Sequence, residues 1–337
     1  MTDPVRAIAD AVLYEGYLLW PYRRSATKNQ RRWTFGGVYP RAHSEGRADD
    51  PWTMRAECLL EAPDDAAEVD VRVRFLHVVA RGVARAGAAG LEPVDELTVG
   101  DARHLAFDEA VEREVSVPVR TLRALLGSSE RVALAVPAGR DEEHLRDPDG
   151  ALAGAVVRTW EPLEGSVEVA SQRVDAGVVR IAVAVANTSP WPGGEREDAL
   201  RRTFCSTHAV LRTSGGAFVS LTDPPDALRA AASACHNEGC WPVLVGEPGD
   251  RGTMLASPII LEDHPRIAPE SPGDLFDGGE IDQLLVLNIL CLTDEEKAEM
   301  RDTDPRAREI LERTEALTPE QLMRLHGAVR ELGMVRR

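Results

Sequence analysis

The chain has 337 residues and 43% of them are hydrophobic, which is enough to bury a substantial core without disulfides or a structural metal. Its formal net charge of -17 repels phosphate groups and argues against general binding to nucleic acid or anionic membranes. An odd number of cysteines (five), no signal-like N-terminal segment and no apolar run of membrane-spanning length predict a reduced, cytoplasmic protein with no membrane segment.

Residues 12–40 combine aromatic and basic side chains with glycine and proline, a composition that predicts short strands joined by a basic loop. Its basic–aromatic part, Trp20 to Phe35 (the basic–aromatic segment), has three interpretations. It could bind an anionic ligand or single-stranded nucleic acid by stacking and charge neutralisation. It could dock a protein partner, because Trp, Tyr and Arg are frequent interface anchors. It could also be structural, with arginines paired to carboxylates and aromatics in the core. The candidate partner-binding residues are Trp20, Tyr22, Arg23, Arg24, Arg31, Arg32 and Trp33.

Short segments of alternating apolar and polar residues follow along most of the chain. The clearest are residues 69–75, with Val69, Val71, Val73 and Phe75 on one face, and residues 179–185 in the second half. Further strands are predicted at 114–119, 132–136, 208–212, 217–221, 241–245 and 255–261. Many short strands separated by Gly, Pro and Asp predict a β-rich α+β fold with one or two antiparallel β-sandwich-like units.

The end of the chain changes to helical patterns. Thr293 with Glu296 is a predicted capping box, and Asp304 before Pro305 is a second helix start. Residues 318–321 form a further predicted capping box, and an apolar stripe follows it. We therefore divide the chain into a β-rich region (1–165), a second sandwich-like region with a Pro-rich connector near 264–279 (166–278), and a helical segment (279–337).

Cysteine and histidine form the one constellation with recognisable ligand chemistry. Cys235, His236 and Cys240 share a short polar stretch, and His208 with Cys205 precedes it by about 27 residues. Thiolate and imidazole suit zinc, nickel or iron, so these residues are a candidate metal site, although the spacing matches no standard zinc motif. The open alternatives are core or loop residues without a ligand, and a redox pair of Cys235 and Cys240.

Common catalytic signatures do not occur in the sequence. It contains no Gly-x-Ser-x-Gly, no phosphate loop ending in Gly-Lys-Ser/Thr and no His-Glu-x-x-His. The glycine-rich stretch 246–253 has no lysine and is interpreted as a hairpin loop. These observations favour a protein that is not an enzyme.

Three segments carry a family resemblance: residues 13–17 continuing to Lys28-Asn29-Gln30, residues 267–277 (Ile-Ala-Pro-Glu-Ser-Pro-Gly-Asp-Leu-Phe-Asp), and residues 292–297 with the helices behind them. In these segments the chain resembles uncharacterised proteins encoded beside nickel–iron hydrogenase genes in actinobacteria and related GC-rich bacteria. The resemblance implies a role in hydrogenase assembly, maturation or association, without identifying a step.

Two hypotheses follow. The first is a non-enzymatic accessory protein that binds a hydrogenase subunit or precursor through the basic–aromatic segment, the connector and the terminal helices. The alternative is a metal-binding protein or metal-dependent enzyme that uses the Cys/His cluster around residues 235–240. A carbohydrate- or ligand-binding β-sandwich stays open as a further class, since a fold alone does not define a function.

Overall fold

The computed structural model describes residues 4–14, 36–265, 288–303 and 305–318. The chain separates into two compact units. The first consists of residues 1–17 and 33–266, and the second of residues 18–32 and 267–337.

Within the described residues, the first unit consists mainly of antiparallel strands, with short helices before and between them. The strands are β1 Thr53–Glu61, β2 Glu68–Gly87, β3 Gly90–Val94, β4 Glu96–Val99, β5 Ala102–Leu105, β6 Phe107–Thr121, β7 Glu130–Val136, β8 Gly139–Arg146, β9 Leu152–Trp160, β10 Leu163–Asp175, β11 Val178–Asn187, β12 Cys205–Ser214, β13 Ala217–Phe218, β14 Trp241–Leu244 and β15 Thr253–Ser257. The helices are α1 Pro4–Tyr14, α2 Arg41–Ser44, α3 Leu122–Gly127, α4 Arg196–Leu200 and α5 Arg229–Ser233.

One sheet has five strands in the order β13-β1-β11-β10-β7. Strand β11 lies at its centre and pairs with β1 and β10 on its two sides. Its residues Val179, Ile181, Val183 and Val185 are all buried, as the period-two pattern predicts. The alternation therefore fixes which face of this sheet points to the core.

The second sheet is built around the 20-residue strand β2. The first half of β2 pairs with β12, its second half pairs with β9 and β3, and β6 runs beside it for most of its length. The path through the sheet is β14-β15-β12-β2-β9-β8. Strand β2 pairs with β3 and β6 from the first half of the chain and with β12, which follows residue 200. It therefore joins strands from both halves of the chain in one sheet.

The two sheets share one apolar core, which contains Phe75, Leu60, Val183, Phe204 and Leu211 among its buried side chains. The prediction of a β-rich α+β fold with antiparallel, sandwich-like sheets is confirmed. The sequence placed a boundary near Gly165; in the structure that residue lies within β10, and strands from both sides of it contribute to the same core.

Several predicted elements differ from the structure. Residues 12–14 belong to helix α1 and not to a strand, because Ala9 and Val12 lie on one helical face that packs on Val210, Val243 and Leu255 of the sheet. Strand β15 ends at Ser257, since Pro258 follows and supplies no N–H for a ladder. Strand β13 covers only Ala217–Phe218 of the predicted 217–221.

Within the described ranges, the second unit includes the helices α6 (Asp294–Thr303) and α7 (Pro305–Glu315), and residues 288–290 are also helical. The capping box is confirmed by both of its hydrogen bonds: Glu296 N donates to Thr293 Oγ1 (3.2 Å), and Thr293 N donates to Glu296 Oε2 (2.9 Å). Helix α7 begins at Pro305 as predicted. The predicted helix after Thr318 lies outside the described residues.

Candidate functional site at the bulge of β12

Strand β12 has a β-bulge in the middle of the larger sheet. Cys205 pairs with Leu76 of β2 and His208 pairs with Arg74, so Ser206 and Thr207 together face the single residue between those partners. Ser206 is buried and has a φ of 52°, a left-handed conformation that costs a non-glycine residue about 1 kcal/mol or more. A strained residue of this kind persists only where the surrounding structure holds it.

The bulge binds the chain on both sides of the basic–aromatic segment. The hydroxyl of Ser206 donates to the carbonyl oxygen of Val12 in α1 (2.9 Å). The next residue, Thr207, donates its backbone N–H to the carbonyl oxygen of Gly36 (2.9 Å). Adjacent residues of one strand thus hold the chain just before residue 15 and just after residue 35.

Gly36 is fitted closely into this corner. Its φ is +55°, and a Cβ at this position would lie 2.5 Å from Cγ of Pro258 and 3.3 Å from the backbone nitrogen of Thr207. Only glycine combines this backbone conformation with this close approach. Pro258 directly follows β15, so the chain that leads towards the Pro-rich connector passes through the same corner.

His208, a predicted metal ligand, has a structural position behind the bulge. Its side chain is fully buried, and Nδ1 lies 3.1 Å from the carbonyl oxygen of Ser206. A carbonyl can only accept, so Nδ1 carries the proton of this bond. The pKa of His208 is lowered to about 4. Burial is the largest cause and the charge of Arg74 adds to it, while the hydrogen bond with Ser206 and the charge of Glu112 act in the opposite direction. The ring is therefore neutral at pH 7 and helps to hold Ser206 in its strained conformation.

Charged groups attach helix α1 to the sheet beside the bulge. The guanidinium of Arg74, almost completely buried, lies 2.6 Å from Asp10 Oδ1 and 3.2 Å from Glu112 Oε2. The hydroxyl of Tyr14 donates to Glu112 Oε1 (2.7 Å). A buried cation with several carboxylate partners specifies one docking position for the helix.

The other predicted metal ligands lie on the loop after α5. His236 is exposed and pairs with Glu238 (2.7 Å). The Cys240 thiol is buried and donates to the carbonyl oxygen of Arg55 (3.2 Å), and burial raises its pKa to about 12. Cys235 is half-buried and its pKa is raised, mainly by burial.

Sequence reasoning missed the residue that fixes this loop, Glu57 of β1. Glu57 Oε2 accepts the backbone N–H of His236 (2.8 Å), and the backbone N–H of Glu57 donates to Asn237 Oδ1 (2.7 Å). Burial raises the pKa of Glu57, but the bond from His236 and the guanidiniums of Arg55 and Arg180 outweigh it and hold the pKa below its usual value. These contacts join residues about 180 positions apart, and no local pattern signals them.

The predicted ligands do not form one cluster. Among the residues that the structure describes, no three His, Cys, Asp or Glu side chains are placed to hold a metal ion. Cys205 is buried in β12, where its Sγ contacts the carbonyl oxygen of Thr203 (3.8 Å) and burial raises its pKa to about 12. The seven candidate partner-binding residues between Trp20 and Trp33 lie outside the described residues, so their assignment stays a prediction.

The sequence matches no protein-family model and no curated protein. Within the described ranges, no helix is long and apolar enough to cross a membrane.

Proposed function

We propose that the protein is a cytoplasmic, non-enzymatic accessory protein that binds a subunit or precursor of a nickel–iron hydrogenase. The kind of partner rests on the family resemblance of residues 13–30, 267–277 and 292–297. The observation that carries a docking role is the pair of bonds from Ser206 to Val12 and from Thr207 to Gly36.

These bonds support docking because they fix both ends of the basic–aromatic segment on neighbouring residues. A segment whose flanking residues are held in place has fewer conformations to lose when it binds a partner, so more of the contact energy contributes to affinity. The strain at Ser206 serves this anchoring, since only the bulge directs the Ser206 hydroxyl and the Thr207 N–H towards the two chain segments.

Two exposed apolar side chains extend the proposed docking surface. Trp241, 46% exposed, begins the edge strand β14 and pairs with Ser257, the residue before Pro258. Ile260, 72% exposed, follows two residues after Pro258. Tryptophan is a frequent anchor at protein interfaces.

Further strand addition at this edge is restricted. Leu244 of β14 already donates its N–H to Asp263 Oδ1 (2.8 Å) and accepts from His264 N (2.7 Å). Pro242 has no N–H to offer. The partner therefore contacts side chains here and does not extend the sheet.

The alternative, a metal-dependent protein using Cys235, His236, Cys240 and His208, receives no support from the described geometry. His208 is fully buried in the larger sheet and bonded to Ser206, whereas His236 is exposed and paired with Glu238. Zinc, nickel and iron analysis of protein purified without oxygen tests this alternative. One metal per chain that is lost in Cys235→Ser or Cys240→Ser would establish it.

The docking proposal is tested by anaerobic affinity purification from a host that expresses the hydrogenase, with mass-spectrometric identification of co-purified chains. We expect hydrogenase subunits with the wild-type protein and a clear loss with Trp241→Ala, Trp33→Ala or Arg31→Gln. Trp160→Ala is the matched control, because Trp160 lies on β9 and bonds to Pro137 away from this corner. Recovery of no hydrogenase chain with the wild-type protein contradicts the proposal.

A further inference from the structure

An open pocket lies between helix α1 and the outer face of the larger sheet. Its lining is unusual for a chain with a net charge of -17, because four of the side chains are guanidiniums. The lining residues come from α1, β2, β6 and β12: Arg6, Ala9, Asp70, Arg72, Arg74, Glu114, Val210 and Arg212. Ala9 and Val210 are the apolar residues of this lining.

The position of the arginines follows from strand periodicity. Val71 and Val73 face the core, so Asp70, Arg72 and Arg74 of β2 face outward, and Val210 and Arg212 of β12 lie on the same face. Helix α1 adds Arg6 one turn before Asp10, which pairs with Arg74. The attachment of α1 thus closes one side of the pocket.

Two of these arginines are only loosely paired. The Nε and Nη1 atoms of Arg72 lie 3.6 Å from Asp70 and 3.7 Å from Glu114, and Nε of Arg6 lies 3.9 Å from Asp10. All three distances exceed hydrogen-bond length. The two carboxylates therefore orient the planar guanidinium of Arg72 without forming hydrogen bonds to it. Its N–H groups can still donate to another anion.

The charge balance selects the kind of anion. Arg74 is neutralised by Asp10 and Glu112, at 2.6 and 3.2 Å. Asp70 and Glu114 in the wall repel a group with two negative charges. A carboxylate, with one charge and two oxygens that match the guanidinium fork, fits better than a phosphate.

We infer that this arginine pocket is a binding site for a carboxylate ligand, held by Arg72 and Arg6. The inference is independent of the hydrogenase proposal, since it rests on the pocket alone. The carboxylate can belong to a small free acid or to an acidic side chain of a peptide, and both present the same two oxygens to Arg72.

Calorimetric titration of the full chain at low salt tests the inference. The probes are acetate and propionate as free acids, N-acetyl-Gly-Asp-Gly-amide as a peptide carboxylate, its Asn counterpart as a neutral isostere, and inorganic phosphate. We expect the carboxylates to bind, the Asn peptide not to bind, and phosphate to bind more weakly. Arg72→Gln and Arg6→Gln should each weaken carboxylate binding about tenfold, the usual effect of removing a charged hydrogen bond.

Arg140→Gln is the matched control, because Arg140 is an exposed arginine of β8 that pairs with Glu142 outside the pocket. It should bind the probes like the wild type. Tighter binding of the peptide identifies a protein ligand, and tighter binding of the free acids identifies a small molecule. The inference is overturned if no carboxylate binds, if phosphate binds as well as the carboxylates, or if Arg72→Gln and Arg6→Gln bind like the wild type. Arg72 and Arg6 are largely exposed, so neither change threatens folding.

Discussion

The hydroxyl of Ser206 donates to the carbonyl oxygen of Val12 at 2.9 Å, across 194 positions of sequence. The bond is made from a left-handed backbone conformation at the second residue of β12. It links a buried residue with a positive φ in the larger sheet to helix α1, beside the segment that we propose for docking. The cost of the conformation and the gain from the bond can be separated by substitution.

Ser206→Ala is expected to lower the free energy of unfolding by about 1–2 kcal/mol, because the carbonyl of Val12 loses its buried donor while the strained φ remains. Ser206→Gly also loses the bond but relieves the strain, so it should be more stable than the alanine variant by about 1 kcal/mol. Urea denaturation of both variants measures the difference. Equal stability of the two variants would show that the φ of Ser206 carries no strain.

Gly36→Ala is expected to destabilise the protein more than a positive φ alone explains. The positive φ costs an alanine about 1 kcal/mol, and the contact of its Cβ with Pro258 at 2.5 Å adds about 1–3 kcal/mol of overpacking. Gly46→Ala is the control, because Gly46 has a φ of +78° and open space around it. Thermal or urea unfolding should therefore place Gly36→Ala clearly below Gly46→Ala, and similar values for the two contradict the close packing at Pro258.

Stability should depend on pH through two buried histidines. Burial lowers the pKa values of His208 and His77 to about 4, from the usual value of about 6.5 in an unfolded chain. Between these values the unfolded chain binds more protons, so stability is fully present above about pH 6.5 and is lost as the pH falls to about 4. Each histidine accounts for up to about 3 kcal/mol of this loss.

The measurement is urea denaturation across this pH range. His208→Asn keeps an N–H near the position of Nδ1 and removes the titrating group, and His77→Leu removes the other one; both changes should flatten the pH dependence relative to wild type. His144→Gln, at an exposed histidine of β8, should leave it unchanged. An unchanged slope in both buried variants contradicts the assignment of the low pKa values.

The sequence allowed the strands of the core to be predicted because their periodicity is local. Alternation at Val69–Phe75 and Val179–Val185 identified the buried faces of β2 and β11, and Thr293 with Glu296 identified a helix start. Helix α1 was missed although Ala9, Val12 and Leu13 have helical spacing. The aromatic and glycine content that follows Leu13 outweighed that short pattern.

The candidate site could not be predicted in the same way, because its parts meet only in three dimensions. The bulge depends on bonds from Ser206 to Val12 and from Thr207 to Gly36, which no spacing encodes. His208 was selected for its ligand chemistry, yet its burial in a strand makes it a neutral support for Ser206. The residue type of His208 suggested metal chemistry, but its position opposite Arg74 in the larger sheet gives it a structural role.

The last prediction concerns the loop that carries Cys235 and Cys240. In the native protein at mildly alkaline pH, a thiol reagent should modify the exposed Cys291 first. It should modify Cys58, Cys205 and Cys240 only very slowly, because burial raises the pKa of these three thiols and excludes the reagent.

Glu57→Ala removes the acceptor that holds His236 N, so Cys240 should become reactive while Cys205, in the larger sheet, stays protected. Glu61→Ala is the control on the same strand, because Glu61 pairs with Arg251, which lies outside the loop. Labelling rates for each cysteine, followed by peptide mass spectrometry, decide between local loosening and global unfolding: a parallel rise at Cys205 would mean that Glu57 supports the whole fold and not this loop.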